Sequence, residues 1–228
     1  MVGFAKGGFS GAGMLAVLLM AQVFPAREST GALLPMLIVA DIFAVSIFHA
    51  HAKVPLVLRL LVPALLGVVC GWLLMPFIAA AIFARTMGII VLVLLVAVLA
   101  QRLYPKVVLA VEQRRYAWPL GWLAGVTTML ANAAGPVTTF YFLACRLPKM
   151  EFVGTAAWFF LIVNLSKVPF SASLGLISLQ SLALNAVLIP LIAAGVFSGR
   201  WLLKRVNQSV FEWLMIILSA IGALRMAL

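Results

Sequence analysis

Two glycine-rich stretches, GFAKGGFSGAGM at residues 3–14 and GVTTMLANAAGPVTT at residues 125–139, carry the residue types that expose a backbone to a small ligand. Glycine lets the chain turn and lets a ligand approach closely. A helix broken at such a point offers free N–H groups, which is the chemistry of an anion site. The candidate binding residues are Lys6, Gly7, Gly8, Ser10, Gly11 and Gly13 in the first stretch, and Thr127, Thr128, Asn132, Gly135 and Thr138 in the second. Three further polar residues fall inside apolar runs. Asp41 is the candidate for proton or ion coupling, and Asn164 with Lys167, one helical turn apart, are candidates for the substrate. Lys167 also lies near the end of its run, so reaching out to the membrane surface is the competing expectation for it.

Other chemistries fit less well. GFSG at residues 8–11 matches the pattern of intramembrane serine proteases, but the two histidines, His49 and His51, lie in the loop after the second run and supply no base on a later helix. The lysine precedes the glycines, so a phosphate-binding P-loop fails. HAH at 49–51 lacks cysteine or acidic companions, so no metal site is expected there, and no cofactor elsewhere. Cys70 and Cys145 form no paired spacing and are expected to be packing residues.

The elements that must position these residues are membrane helices. Of 228 residues, 66% are hydrophobic and 9% charged, with a mean hydropathy of +1.23, far from the composition of a water-soluble domain. Apolar runs fall at 2–24, 30–48, 56–75, 87–103, 118–144, 152–170, 179–199 and 210–226. They are too long and too unalternating for a β-barrel, which leaves an all-α polytopic membrane protein.

The chain matches itself. An offset of 122 places Gly3 on Gly125 and Gly13 on Gly135; 123 places Pro25 on Pro148, Glu28 on Glu151, Gly31 on Gly154 and Asp41 on Asn164. An offset of 128 places Gly67 and Gly71 on Gly195 and Gly199, Phe83 on Phe211 and Met87 on Met215. Two repeats, 1–103 and 118–228, are therefore expected on either side of a basic linker at 104–117. Glycine pairs at four-residue spacing, Gly67/Gly71 and Gly195/Gly199, read as helix-packing positions.

Charge decides the orientation. If all eight runs cross, the basic residues divide almost evenly between the two faces. If 2–24 and 118–144 are instead re-entrant hairpins, Lys53, Arg59, Arg102, Lys106, Arg114, Arg115, Arg146, Lys149, Arg200, Lys204 and Arg205 gather on one face. Lys6, Arg27, Arg85 and Arg225 are left on the other, with Lys167 inside the membrane. This positive-inside pattern predicts six crossings and two hairpins, repeats of opposite orientation, and both termini outside. The linker YPKVVLAVEQRRYAW is then an anchor on anionic lipid and not a nucleic-acid site.

The whole chain resembles the TauE/SafE family of membrane proteins. The resemblance rests on the first glycine-rich segment with its proline loop, GFAKGGFSGAGMLAVLLMAQVFP, and on the second helix, TGALLPMLIVADIFAVSIF. It continues through the loop HAHAKVPLVLR, the paired-glycine helix LLVPALLGVVCG and the restart GWLAGVTTMLANAAGP. Relatives usually have more residues ahead of the first glycines and a more strongly basic loop after the second helix. The resemblance implies export of a small sulfur-containing anion, sulfite or a short organosulfonate, across a bacterial cytoplasmic membrane. A permease for thiosulfate, another anion or a metal ion is the alternative, and the assembly is expected to be a monomer or a homodimer.

Overall fold

The computed structural model describes residues 1–13, 16–17, 19–20, 26–78, 82, 85, 89, 92–93, 96 and 114–227. Most of the helix expected at 87–103, and the linker as far as residue 113, lie outside them. The described residues form helices and no strands. In chain order the helices are α1 (Val2–Lys6), α2 (Ala26–Phe48), α3 (Val54–Leu74), α4 (Arg114–Ala131), α5 (Ala134–Ala144), α6 (Lys149–Ser173), α7 (Leu179–Arg205) and α8 (Gln208–Ala227). Short 3-10 turns occupy Ser10–Ala12 and His49–His51.

Local chemistry sets the helix ends. Pro55 opens α3, where a missing N–H costs nothing. Glu28 and Glu151 lie in the first turns of α2 and α6, where the helix dipole favours negative charge. Ser178 and Ser181 form a reciprocal capping box at the start of α7. α6 ends at Gly175 with φ +67°, and the amides of Gly175 and Leu176 turn back to Ala172 and Ser171. α6 outruns its expected range by about a turn at each end, and α7 continues past residue 199 to Arg205, because polar residues in the last turns still make helical hydrogen bonds. α4 already includes Arg114, inside the stretch assigned to the linker.

Four segments, Glu28–His51, Val54–Leu74, Lys149–Ser173 and Leu179–Arg205, are long and apolar enough to cross a bilayer. The 23 residues of α2 extend about 34 Å at 1.5 Å per residue. Leu58, Val62, Leu66 and Leu73 of α3, and Val187, Leu191 and Phe197 of α7, are exposed. An outward apolar surface of this kind suits lipid as its solvent. The chain is a multi-pass membrane protein.

Glycine lets particular helix pairs come into backbone contact. A Cβ on Gly3 would lie 2.0 Å from the Ile192 carbonyl oxygen, and one on Gly125 would lie 2.0 Å from that of Ala64. Gly195 faces Phe4 and Gly3, while Gly67 faces Trp122, Val126 and Gly125. Thus α1 packs on α7, and α4 on α3, with residue numbers rising together in each pair, so each pair is parallel. Between α2 and α6 the order reverses. Gly31 near the start of α2 meets Leu176 just past the end of α6, and Gly154 near the start of α6 meets Phe48 and Ala52 at the end of α2. These two helices are antiparallel.

The helix directions restrict the path of the glycine-rich segments. Asn185 of α7 donates to the Ala32 carbonyl (3.0 Å), so the N-terminal parts of α2 and α7 lie together. The Trp72 and Phe170 rings lie 5.4 Å apart, tilted at 49°, so the C-terminal parts of α3 and α6 lie together. α4 therefore runs with α6, and the chain reverses between them through α5. The reversal falls at Asn132–Ala133, where Asn132 has φ +52°. In the first segment the break falls at Gly7–Phe9, with Gly8 at φ +152°, a conformation open to glycine. Helical backbone resumes at Gly13.

Candidate functional site

The two helix breaks meet. Ser10 Oγ and Thr139 Oγ1 are 3.2 Å apart, and a Cβ on Gly135 would sit 3.3 Å from the Ser10 carbonyl oxygen. A small cavity of about 40 Å³ lies between them, lined in part by Lys6, Ser10, Gly13, Thr128, Asn132 and Gly135. Leu37, Phe160 and Asn164 join it from the two antiparallel helices, and Val2, Ala5 and Val17 add apolar wall. At roughly 10–15 Å³ for each water centre, that space holds a few waters or one small oxyanion.

A chain of charged and amide groups crosses the protein beside this cavity. Lys6, at the end of α1, places its Nζ 2.8 Å from Asp41 Oδ1 and 3.9 Å from the centre of the Phe160 ring. Asn164 Nδ2 donates to the other carboxylate oxygen, Asp41 Oδ2, at 2.7 Å. Lys167 Nζ donates to Asn164 Oδ1 (3.4 Å), Thr128 Oγ1 (3.2 Å) and Asn132 Oδ1 (2.5 Å). Asn132 Nδ2 in turn donates to the Thr30 carbonyl at 2.9 Å. Each amide accepts from a lysine on its oxygen side and donates onward from its nitrogen side, so both of its ends are satisfied.

Asp41 is fully buried and Lys167 is 2% exposed. Charges so far from water persist when paired and hydrogen-bonded, and inside a membrane they mark function by default. The formal charge of the cluster is two lysines against one aspartate. One positive charge is left over, beside a cavity lined in part by the hydroxyl residues Ser10 and Thr128 and the amides of Asn132 and Asn164.

Most of the candidates gather here, with instructive exceptions. Lys6, Ser10, Gly13, Asp41, Thr128, Asn132, Gly135, Asn164 and Lys167 belong to the cavity or to the polar chain. Gly8 lines an adjoining cavity. Gly7 instead makes a backbone contact with Val196 and Gly199, and Gly11 lies within the 3-10 turn. Thr127 and Thr138 turn their hydroxyls to carbonyls of their own helices, at Ala124 and at Ala134 and Gly135. Lys167 turns inward, against the expectation that it reaches the surface, because Thr128, Asn132 and Asn164 surround its Nζ with acceptors.

Two features escaped the sequence reading. Asp41 pairs with Lys6 and not with Lys167, a choice made by packing across the chain. Phe160 covers Lys6; its only sequence signal is that it stands four residues before Asn164 on one helix face. His49 and His51 form an exposed 3-10 turn, away from this cluster.

No curated protein and no solved structure matches the chain. A family model described as sulfite exporter TauE/SafE matches residues 1–226, nearly the full length, and the chain therefore belongs to the sulfite exporter TauE/SafE family.

Proposed function

We propose that this protein is a secondary transporter that exports a small sulfur-containing anion, sulfite or a short organosulfonate, across a bacterial inner membrane. The observation that carries this reading is the buried chain Lys6–Asp41–Asn164–Lys167 beside a cavity at two broken helices. The uncompensated formal charge attracts an anion. Ser10, Thr128 and Asn132 supply hydrogen bonds, and the small volume favours a compact oxyanion.

The halves are read as an inverted repeat, each with one re-entrant hairpin. Matched glycines make matched contacts: Gly3 on Ile192 and Gly125 on Ala64, related by the offsets 122 and 128. α2 and α6, which correspond at an offset of 123, run antiparallel, and symmetry mates that run antiparallel imply an axis in the membrane plane. Asp41 and Asn164 meet near that axis. Rocking of the halves about it would open the central cavity to one face and then the other.

The coupling role falls to Asp41. An anion that takes the place of Asp41 at Lys6 releases a carboxylate that can accept a proton, which links anion movement to the proton gradient. Uptake of labelled sulfite into proteoliposomes, with and without an imposed pH gradient, tests the reading. Saturable sulfite flux that responds to the gradient supports it; absence of flux for every sulfur oxyanion and sulfonate tried rejects the substrate class.

A further inference from the structure

Leu37 and Phe160 occupy matching positions, each four residues before the polar residue at which α2 and α6 cross, Asp41 in one case and Asn164 in the other. Both side chains line the central cavity. Because the two helices are antiparallel, a step of four residues back along each leads to opposite faces of the protein. Leu37 thus stands on the side where α2 begins, and Phe160 on the side where α6 begins.

A cavity continues beyond Phe160, and a groove meets the central cavity at Val2, beside the helix that carries Leu37. Past Phe160 lies a small one lined by Gly8, Phe152, Val153, Ala156 and Ala157, which shares Lys6, Ser10 and Phe160 with the central cavity. It ends at interlocked rings: Phe152 lies 5.4 Å from Phe211 and 5.5 Å from Phe142, and Phe9 lies 6.2 Å from Phe211. On the other side, an apolar groove lined by Ala16, Leu33, Met36, Leu188 and Ile192 shares Val2 with the central cavity. Leu33 and Ala156, at the two outer cavities, are again matching positions at an offset of 123.

We infer that Phe160 and Leu37 are the two gates of the permeation path, one on each side of the central cavity, and that Phe160 with the Lys6 ammonium against its ring is the gate on the α6 entry side. An anion crossing that gate must exchange the Lys6–Phe160 contact for its own contact with Lys6, so the barrier is lowered for anions and kept for other solutes. Leu37 is aliphatic and offers no ring face to a cation; its gate is apolar contact, which closes by excluding water. The inference rests on the transporter reading above.

The test is the sidedness of a thiol reagent. Cys70 and Cys145 are first replaced by Ser, and Leu37→Cys or Phe160→Cys is introduced into that background. The probe is a membrane-impermeant trimethylammonium-ethyl methanethiosulfonate, a cation outside the proposed substrate class, added to right-side-out or inside-out vesicles. Phe160→Cys is expected to react at least about tenfold faster from the face where α6 begins, and Leu37→Cys at least about tenfold faster from the opposite face. Ala156→Cys and Leu33→Cys, one turn further out, report the same two faces if a gate variant does not reach the membrane. Labelling of both members of a pair from the same face, or at rates independent of face, overturns the inference. Sidedness is read without any substrate, so gates that label as expected in a protein with no sulfite flux reject the substrate and not the gates.

Discussion

Asn164 donates a 2.7 Å hydrogen bond to Asp41, the residue it matches when the sequence is laid on itself at an offset of 123. Two residues that match at an offset of 123 touch each other where antiparallel helices cross. One is charged and one neutral, so positions that match in sequence contribute unlike groups to one site. Lys167 corresponds to Ala44 and Lys6 to Thr128, so the two lysines approach the crossing from non-equivalent positions.

Removing Asp41's charge should leave Lys6 buried and unpaired. Asp41→Asn is expected to destabilise the protein by about 3–5 kcal/mol, the typical cost of breaking a buried ion pair from one side. The double variant Lys6→Met, Asp41→Asn should recover most of that loss, since both charges are gone, while flux stays lost in both. Thermal unfolding in detergent, measured beside proteoliposome flux, checks this; equal destabilisation of the single and double variants would contradict it.

Lys167→Met keeps much of the side-chain length and removes the cation. Sulfite flux should fall at least about tenfold, the loss of roughly 1.4 kcal/mol of anion stabilisation. Lys167→Arg should retain part of the flux, because a guanidinium still supplies charge but meets Thr128, Asn132 and Asn164 with a different geometry.

Asn132 has two separable roles, a left-handed backbone and a side chain that joins Lys167 to Thr30. Asn132→Gly preserves the backbone and removes the side-chain bonds, whereas Asn132→Ala loses both. The alanine variant should be less stable than the glycine variant by about 1 kcal/mol, while flux drops in each. Equal stabilities would argue that the turn at the helix break tolerates any residue.

The glycine contacts give a matched pair of expectations. A methyl group at Gly3 or at Gly125 would sit 2.0 Å from a backbone carbonyl, of Ile192 and Ala64 respectively. Gly3→Ala and Gly125→Ala should therefore both lower the melting temperature, with overpacking costs of about 1–3 kcal/mol or more. Gly13→Ala, whose added Cβ would lie 3.8 Å from the Ala5 Cβ, should be tolerated. Melting curves of the three variants in one detergent make the comparison.

Lys149 at the start of α6 donates its Nζ to the carbonyls of Leu203 and Val206, closing the end of α7. Lys149→Met removes these charge-assisted bonds and should cost about 1.5–3 kcal/mol. Gln208, which accepts from the Lys149 amide and donates to the Leu147 carbonyl and to Glu212, holds the same corner from the other side. Hydrogen exchange should rise first at the α7–α8 connection in Lys149→Met.

Composition and length of the apolar runs determined the membrane and the helices, because a bilayer leaves a long hydrophobic run no other way to satisfy its backbone. The positions of Asp41, Asn164 and Lys167 inside such runs marked them as costly, and the self-match by offset paired Asp41 with Asn164. The glycine clusters likewise pointed to breaks, which fall at Gly7–Phe9 and Asn132–Ala133. Sequence could not say which partner each charge takes. That Lys6 reaches Asp41 and that Lys167 turns to Thr128 and Asn132 depend on how α1, α2, α4 and α6 pack. A buried charge reveals its cost through its neighbours in sequence, but its partner is chosen by contacts between residues more than thirty positions apart, and only the tertiary structure decides those.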